Sequence, residues 1–426
     1  MVRTSDEQEP TSSDRQFAKN LVERIVAECP NRYPGSRDEH RAQVILRAQL
    51  TRLGGTATWR RFRFCRSLYL TLGSHFALAV VATALFFVNP LVAAVMHVLL
   101  AVSYIADSNR WFYALRSLLP KATASNLLVT FAPRKKMRRR IVISAHADAA
   151  PTGWMFQQSG LGSVEKTPKL LRQLGRPLLI AVIGLGVVAA IEIRTWASGY
   201  YWPTNPGAFY GFSFYFLVLA VLNLQVWWKN QTVPGANDNL SSCAALPVLA
   251  KRLKAVQPDD IELVFVVAGC EESGTGGAYQ LAKELRGQWN ADETDFIVLD
   301  SIGGGELCLF QEGEMIPWKI PEHLQDAVLE VAQCEERFKK IVLFPLPAGA
   351  TDAIAFLSQG FKAVCLGRID RHLGTPRNYH LPSDTPENLD YDEVMETVDF
   401  TEQLALFLAN AEADSSVAGT AHRAEA

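Results

Sequence analysis

IELVFVVAGCEESG, residues 261–274, decides the fold. It opens with a near-continuous run of β-branched and apolar residues, as a parallel strand covered on both faces requires. Glu271 and Glu272 follow at once in a glycine-flanked turn. Adjacent carboxylates repel each other, a cost that an interior loop tolerates when a cation neutralises it. A buried strand that delivers paired carboxylates to its carboxyl end matches the way open α/β sheets build their sites.

Working outward, strand-type runs are expected at 56–64, 126–131, 141–145, 296–299 and 363–366. Helical periodicity is expected over 14–53, broken at Pro30 and at Pro34-Gly35-Ser36, and then over 241–255, 277–285, 323–338, 352–359 and 391–410. Strands alternating with helices imply an α/β fold with a mixed, largely parallel sheet flanked by helices.

Other chemistry-bearing residues fall in matching places. His146 follows the strand at 141–145, and Asp148 stands two residues on, where it can hold the ring through its second nitrogen; alone, this spacing is more often structural than metal-binding. Asp238 lies in Pro234-Gly235-Ala236-Asn237-Asp238-Asn239 just before a helix, so Asp238 or Asn239 could simply cap it. The reading adopted puts Asn239 near the cap and aims Asp238 at a metal. Asp300 ends the strand at 296–299 and is a further candidate ligand, although ordinary turn chemistry also accounts for it. Tyr379-His380, with Asp384 following, supplies a second imidazole, and His372 competes for that role. His40, His75, His97, His323 and His422 have no carboxylate context and read as structural.

Four apolar stretches interrupt the alternation, at 68–87, 91–105, 178–193 and 209–228. A bilayer span needs about 20 apolar residues. The first and fourth meet that length. The second pairs with the first across Asn89-Pro90, and the third reaches Trp196 if Glu192 and Arg194 snorkel to the interface. Buried helices of a large soluble core are the alternative. Tyr200, Tyr201 and Trp202 at one end of the second hairpin and Trp227 and Trp228 at the other suit interfacial belts. Arg60, Arg61, Arg63 and Arg66 precede the first span, a basic run at 134–140 lies beyond the second, Lys169, Arg172 and Arg176 precede the third, and Lys229 follows the fourth. Positive flanks face the cytoplasm, so both hairpins dip in from that side and the catalytic residues are expected to be cytoplasmic.

The expected organisation is a disordered tail at 1–14, catalytic-domain sequence at 15–66, a first transmembrane hairpin at 67–107, catalytic sequence with linkers at 108–177, a second hairpin at 178–228, the main catalytic part at 229–411 and a disordered tail at 412–426. The 426 residues carry 20% charged residues and a net charge of −2, which gives no electrostatic footprint for nucleic acid. Seven scattered cysteines without a CxxC pair indicate neither a disulfide framework nor a thiolate zinc site.

The set His146, Asp238, Glu271-Glu272, Asp300 and His380, in this order, resembles the co-catalytic two-zinc aminopeptidases and glutamate carboxypeptidases, a family that also contains the glutaminyl cyclases. Tyr33-Pro34-Gly35-Ser36 and residues 352–360 are similar to further landmarks of that family. The resemblance implies two zinc ions bridged by Asp238, with His146 and Asp300 completing one site and Glu272 and His380 the other. It implies Glu271 as general base, Tyr379 as a donor to the oxyanion, and Asp148 and Asp384 as supporting carboxylates. Ser242 and Ala353 depart from the family, which usually has glycine and often histidine there. The expected activity is that of a multi-pass, membrane-anchored exopeptidase acting on peptides, foremost an aminopeptidase. A glutaminyl cyclase, a carboxypeptidase-like relative and an inactive receptor or scaffold are the alternatives.

Overall fold

The structure, a computed structural model, describes residues 8–156, 177–313, 316–346 and 349–411. Its strands are β1 (Thr56–Phe64), β2 (Ala122–Phe131), β3 (Arg139–His146), β4 (Pro151–Thr152), β5 (Gln231–Thr232), β6 (Ile261–Ala268), β7 (Thr294–Asp300), β8 (Glu306–Gln311), β9 (Val342–Pro345) and β10 (Lys362–Ile369). The helices are α1 (Gln8–Glu28), α2 (Arg37–Arg52), α3 (Leu68–Leu85), α4 (Pro90–Ser108), α5 (Ala114–Leu118), α6 (Pro177–Ser198), α7 (Pro206–Lys229), α8 (Ser242–Ala255), α9 (Gly276–Leu285), α10 (Glu322–Cys334), α11 (Asp352–Ser358) and α12 (Tyr391–Asn410).

One sheet runs β1-β2-β6-β3-β7-β10-β8-β9. Its centre, β6-β3-β7-β10, is parallel; β1 and β2 pair antiparallel with their neighbours, and β8 runs antiparallel to β10 and parallel to β9. Successive side chains point to opposite faces of a strand, and both faces are covered. Ile141, Ile143, Phe265 and Val267 pack with Leu246 and Leu249 of α8 and Val398 of α12. Val142, Val264 and Val266 pack with Leu281 of α9 and Phe356 of α11. Double coverage is why these strands read as unbroken apolar runs. β8 and β9 escaped the sequence reading because they are short runs at one edge of the sheet.

Residues 8–14, expected within a tail, form the first turns of α1. Asp14 is buried there, accepting hydrogen bonds from Lys251 (3.0 Å) and Arg252 (2.9 Å). A polar stretch hid one interior carboxylate. The rest of that tail, the C-terminal tail at 412–426 and Lys169, Arg172 and Arg176 lie outside the described residues.

Four helices, α3, α4, α6 and α7, are long and apolar enough to cross a membrane, with mean hydropathy of 1.7 to 1.8. α3 packs along α7 and α4 along α6, so helices of the two hairpins pair with each other. Gly73 allows the first contact, since a Cβ there would sit 2.8 Å from Leu224. Phe76, Phe86, Phe209 and Phe216 fill the bundle. Its outer faces carry exposed Val95, Leu99, Val102, Phe214, Leu217 and Val221, and no more than half of any of the four stretches is buried. Helices of a soluble core would bury these faces. Exposed Trp111, Trp154, Trp227 and Trp228 ring the end nearer the sheet; Tyr200, Tyr201 and Trp202 ring the other.

Two histidine readings change. His97 Nδ1 lies 2.9 Å from Glu192 Oε2, and both are fully buried in the bundle, so Glu192 does not snorkel. His323 Nε2 meets Asp295 at 2.9 Å.

Both insertions leave from and return to antiparallel pairs. Phe64 faces Ala122 across β1 and β2, and Pro151 faces Thr232 across β4 and β5. Each excursion therefore closes where it began, leaving the sheet register undisturbed.

Candidate active site

The four central strands each end at the same cavity, of about 420 Å³. His146 ends β3, Glu271 and Glu272 follow β6, Asp300 ends β7, and His380 lies beyond β10. Asp238 arrives from the segment before α8, where Asp238 and Asn239 depart from helical geometry. All are at the carboxyl edge of the parallel strands, where open sheets form their sites.

Asp238 stands at the centre. His146 Nε2 lies 3.3 Å from its Oδ1, and His380 Nε2 lies 3.5 Å from its Oδ2. His380 Nε2 is also 3.6 Å from Glu272 Oε2, and His146 Nε2 is 4.0 Å from Glu271 Oε2. His146, Asp238 and Asp300 offer donor atoms within 4.8 Å of one another, as do Asp238, Glu272 and His380, and as do His146, Glu271 and Glu272. His372 is exposed and its backbone N–H binds Asp370, so it takes no part in these groups. Tyr379 lines the cavity with its ring stacked on His380, centroids 3.9 Å apart.

Local backbone geometry delivers these side chains. Cys270, Ser301 and His380 adopt positive φ of 57°, 56° and 56°, and left-handed non-glycine residues cluster at functional sites where the surroundings enforce them. Gly235, at φ +61°, opens the Asp238 segment, and a Cβ there would lie 2.7 Å from both Arg32 Nη2 and the Asp238 carbonyl oxygen.

Buried hydrogen bonds hold the loops. Asp148 faces His146 Nδ1 at 3.5 Å and accepts the backbone N–H groups of Glu271 (3.1 Å) and Glu272 (2.9 Å). Asp384 accepts those of Asn237 (2.7 Å) and Asp238 (3.1 Å). Asn239 does not cap α8; its amide donates to the Leu299 carbonyl and its oxygen accepts from Ser301 N–H, tying the Asp238 segment to the end of β7.

Two participants were missed in the sequence, and a third, Asp352, was read only as the start of a landmark. Arg32, fully buried, donates to the carbonyls of Cys29, Ala147, Pro234 and Gly235 and so joins the His146 and Asp238 loops. Glu39 accepts from Gly35 N–H (2.8 Å) and Cys270 N–H (2.6 Å), linking the Tyr33-Pro34-Gly35-Ser36 turn to the Glu271-Glu272 loop. The available signal was Ser36-x-x-Glu39, a capping pattern: Ser36 does cap α2 by accepting Glu39 N–H, while the Glu39 carboxylate is diverted to the site. Asp352 is buried with neither carboxylate oxygen hydrogen-bonded.

The segment that follows the first apolar hairpin also reaches this loop. Arg116, paired with Asp107 of α4, donates to the Ser273 carbonyl, and Arg110 Nε donates to Thr275 Oγ1 at 3.1 Å.

Electrostatically the cavity is short of positive charge. Burial, with neighbouring carboxylates adding to it, raises Glu271 and Glu272 well above the carboxylate range. Burial likewise lifts Asp300, Asp352 and Asp384 to about 7. Burial opposes protonation of His146, yet Asp148 and Asp238 outweigh it and carry the imidazole well above its ordinary range. Burial also opposes ionisation of Asp238, and there the two histidines prevail and hold its carboxyl low.

These residues fit zinc. Imidazole and carboxylate donors are its usual nitrogen and oxygen ligands, and tetrahedral bonds of 2.0–2.2 Å place neighbouring donors about 3.3–3.6 Å apart, the spacing of the Asp238–histidine contacts. Glu272 Oε1 is buried without a hydrogen-bond partner, as an oxygen reserved for a cation would be.

Residues 225–405 match peptidase family M28. No curated protein sequence matches the chain. Among solved structures, a glutaminyl cyclase from Bacteroides thetaiotaomicron bound to N-acetylhistamine is 13% identical with a TM-score of 0.54, covering 94% of this chain and 98% of that one. BSAP, a zinc aminopeptidase from Bacillus subtilis, is 12% identical with a TM-score of 0.54, covering 94% and 97%. A zinc-dependent exopeptidase from Parabacteroides distasonis is 14% identical with a TM-score of 0.52, covering 93% and 98%. At these identities the structures speak for the fold. Taken with the match over 225–405, they give the chain the fold of the zinc exopeptidases and make residues 225–405 similar to peptidase family M28.

Proposed function

We propose that the chain is a membrane-anchored, zinc-dependent exopeptidase, an aminopeptidase in its principal activity, with its catalytic face toward the cytoplasm. The observation that carries the proposal is the placement of the two Asp238 oxygens, each facing a different histidine. On this reading His146, Asp238 and Asp300 hold one zinc ion, and Asp238, Glu272 and His380 hold the other. Bound there, zinc supplies Lewis acidity toward water and the scissile carbonyl.

The protein's own groups do the rest. Glu271 is buried beside His146 and drawn into neither Asp238 contact; cations bound next to it would return its carboxyl to the ionised form, which could take a proton from water and return it to the departing amine nitrogen. Burial keeps the Tyr379 hydroxyl protonated, so it can donate to a developing oxyanion. Asp148 and Asp384 position the ligand-bearing loops through backbone N–H groups. Phe156, whose ring centroid is 5.0 Å from that of His380, forms an apolar wall of the cavity beside the centre.

Membrane anchoring is supported by the four apolar helices and their exposed apolar flanks. Orientation is supported by Arg60, Arg61, Arg63 and Arg66 before α3 and Lys229 at the end of α7. The test is hydrolysis of aminoacyl reporters by the full chain in lipid nanodiscs with zinc supplied, comparing wild type with Glu271→Ala. A fall of about 100-fold or more in kcat with zinc content unchanged is expected. Undiminished activity in the variant would remove Glu271 as base, and pyroglutamate formation without reporter cleavage would redirect the reading to a cyclase.

A further inference from the structure

We infer that the substrate is an amide carrying a long aliphatic chain, and that the chain lies between α3, α4 and α7 while the amide sits at the Asp238 centre. The inference rests on the exopeptidase reading above and names the substrate class of the same site.

The cavity that holds Asp238, Glu271, Glu272, Asp300 and His380 does not end at them. It continues among Tyr69, Leu72 and Phe76 of α3, Tyr104 of α4, and Leu219 and Leu222 of α7. Ring contacts trace the passage. Phe156 lies 5.0 Å from His380 and 6.0 Å edge-on to Tyr69, and Phe76 lies 5.5 Å from Tyr104 deeper in the bundle. Tyr69, Leu72 and Phe76 recur at three- and four-residue spacing and share one face of α3. From Tyr69 to Phe76 the helix rises about 10 Å. An ordinary amino-acid side chain is too short to fill such an extension, and an aliphatic chain matches both its length and its apolar lining.

The setting points the same way. An amphiphilic amide held in the bilayer could pass its chain between the apolar helices that wall the site without crossing water, and relative to free substrate in water each methylene so buried is worth about 0.8 kcal/mol. The reaction stays an ordinary hydrolysis. The water oxygen joins the carbonyl carbon, the carbon–nitrogen bond breaks, the carboxylic acid keeps the oxygen, and the amine nitrogen takes the proton.

The test uses the full chain in lipid nanodiscs with zinc, and two substrate series: N-acylglycines from acetyl to palmitoyl, and leucine alkylamides from ethyl to dodecyl. In at least one series kcat/KM, referred to the free aqueous substrate concentration, should rise about fourfold per methylene until the cavity is filled. The responding series identifies which side of the amide bears the chain. Leu72→Trp, which fills the cavity within the bundle, should lower the ratio of long-chain to short-chain kcat/KM at least tenfold. Rates that are flat or falling with length in both series overturn the inference. A second arm does not depend on turnover: Glu271→Ala protein is photolabelled with a diazirine-bearing N-acylglycine and, separately, with a diazirine-bearing leucine alkylamide, and the adducts are mapped. Labelling of α3 and α7 by either probe that an excess of the matching unlabelled long-chain amide abolishes supports the inference even if no amide is cleaved, an outcome that would sink only the hydrolase reading. Aminoacyl reporter cleavage by wild type without such labelling sinks the inference and leaves the hydrolase reading standing.

Discussion

His146 Nε2 lies 3.3 Å from Asp238 Oδ1, on one side of a carboxylate whose other oxygen is turned toward a different imidazole. A carboxylate shared in this way is what a two-ion centre requires of its bridge. Asp238→Ala should therefore reduce bound zinc from two ions per chain to one or none, and should lower hydrolysis by about two orders of magnitude or more. Metal content by plasma mass spectrometry, alongside reporter turnover, checks both.

Asp148 acts at one remove. It holds Glu271 and Glu272 by their backbone N–H groups and faces the second nitrogen of His146. Supporting carboxylates of this kind are worth about 10- to 100-fold in metal affinity. Asp148→Asn should weaken zinc binding by that factor in competition with a fluorescent chelator, while wild-type occupancy is recovered at higher free zinc.

Leu99 separates a membrane face from a soluble surface. It is 62% exposed on α4. An arginine at the centre of a spanning helix costs about 2.5–3.5 kcal/mol on insertion, whereas a substitution on a soluble surface usually changes stability by less than about 0.5 kcal/mol. Leu99→Arg should lower the membrane-integrated fraction on carbonate extraction. An unchanged fraction with unchanged activity would argue against a bilayer around α4.

Glu312 gives stability a pH dependence away from the metal ligands. It is buried, accepts hydrogen bonds from the Thr351 N–H and hydroxyl, and is pushed up to about 8, burial being the main cause and the Thr351 bonds partly offsetting it. A carboxyl raised on folding holds its proton in the native state after the unfolded chain has released it. Its contribution is complete below about pH 4.5 and is lost as pH rises toward 8, at up to about 1.4 kcal/mol per pH unit. Glu312→Gln should make the fall in Tm across that window shallower, which thermal unfolding at fixed zinc would read.

The parts of this fold that could be read from sequence are those where one physical demand governs a contiguous run. Residues 261–268 had to be apolar throughout because both faces of β6 are buried, and the charged pair after them stood out against that run. The bundle helices were legible for the same reason. Arg32, Glu39 and Asp352 were not, because their importance lies in carbonyls, backbone N–H groups and charges brought from distant segments. Glu192 was misjudged because its partner, His97, is 95 residues away and arrives only when the two hairpins pack together. The N-terminal turn of α1 was hidden in the same way, since Asp14 becomes an interior residue only against Arg252.

Anomalous scattering at the zinc edge, recorded from crystals of the full chain, tests the two-ion centre most directly. Two peaks flanking the Asp238 carboxylate are predicted, one beside His146 and Asp300 and the other beside Glu272 and His380. A single peak, or none between positions 146 and 380, would contradict it.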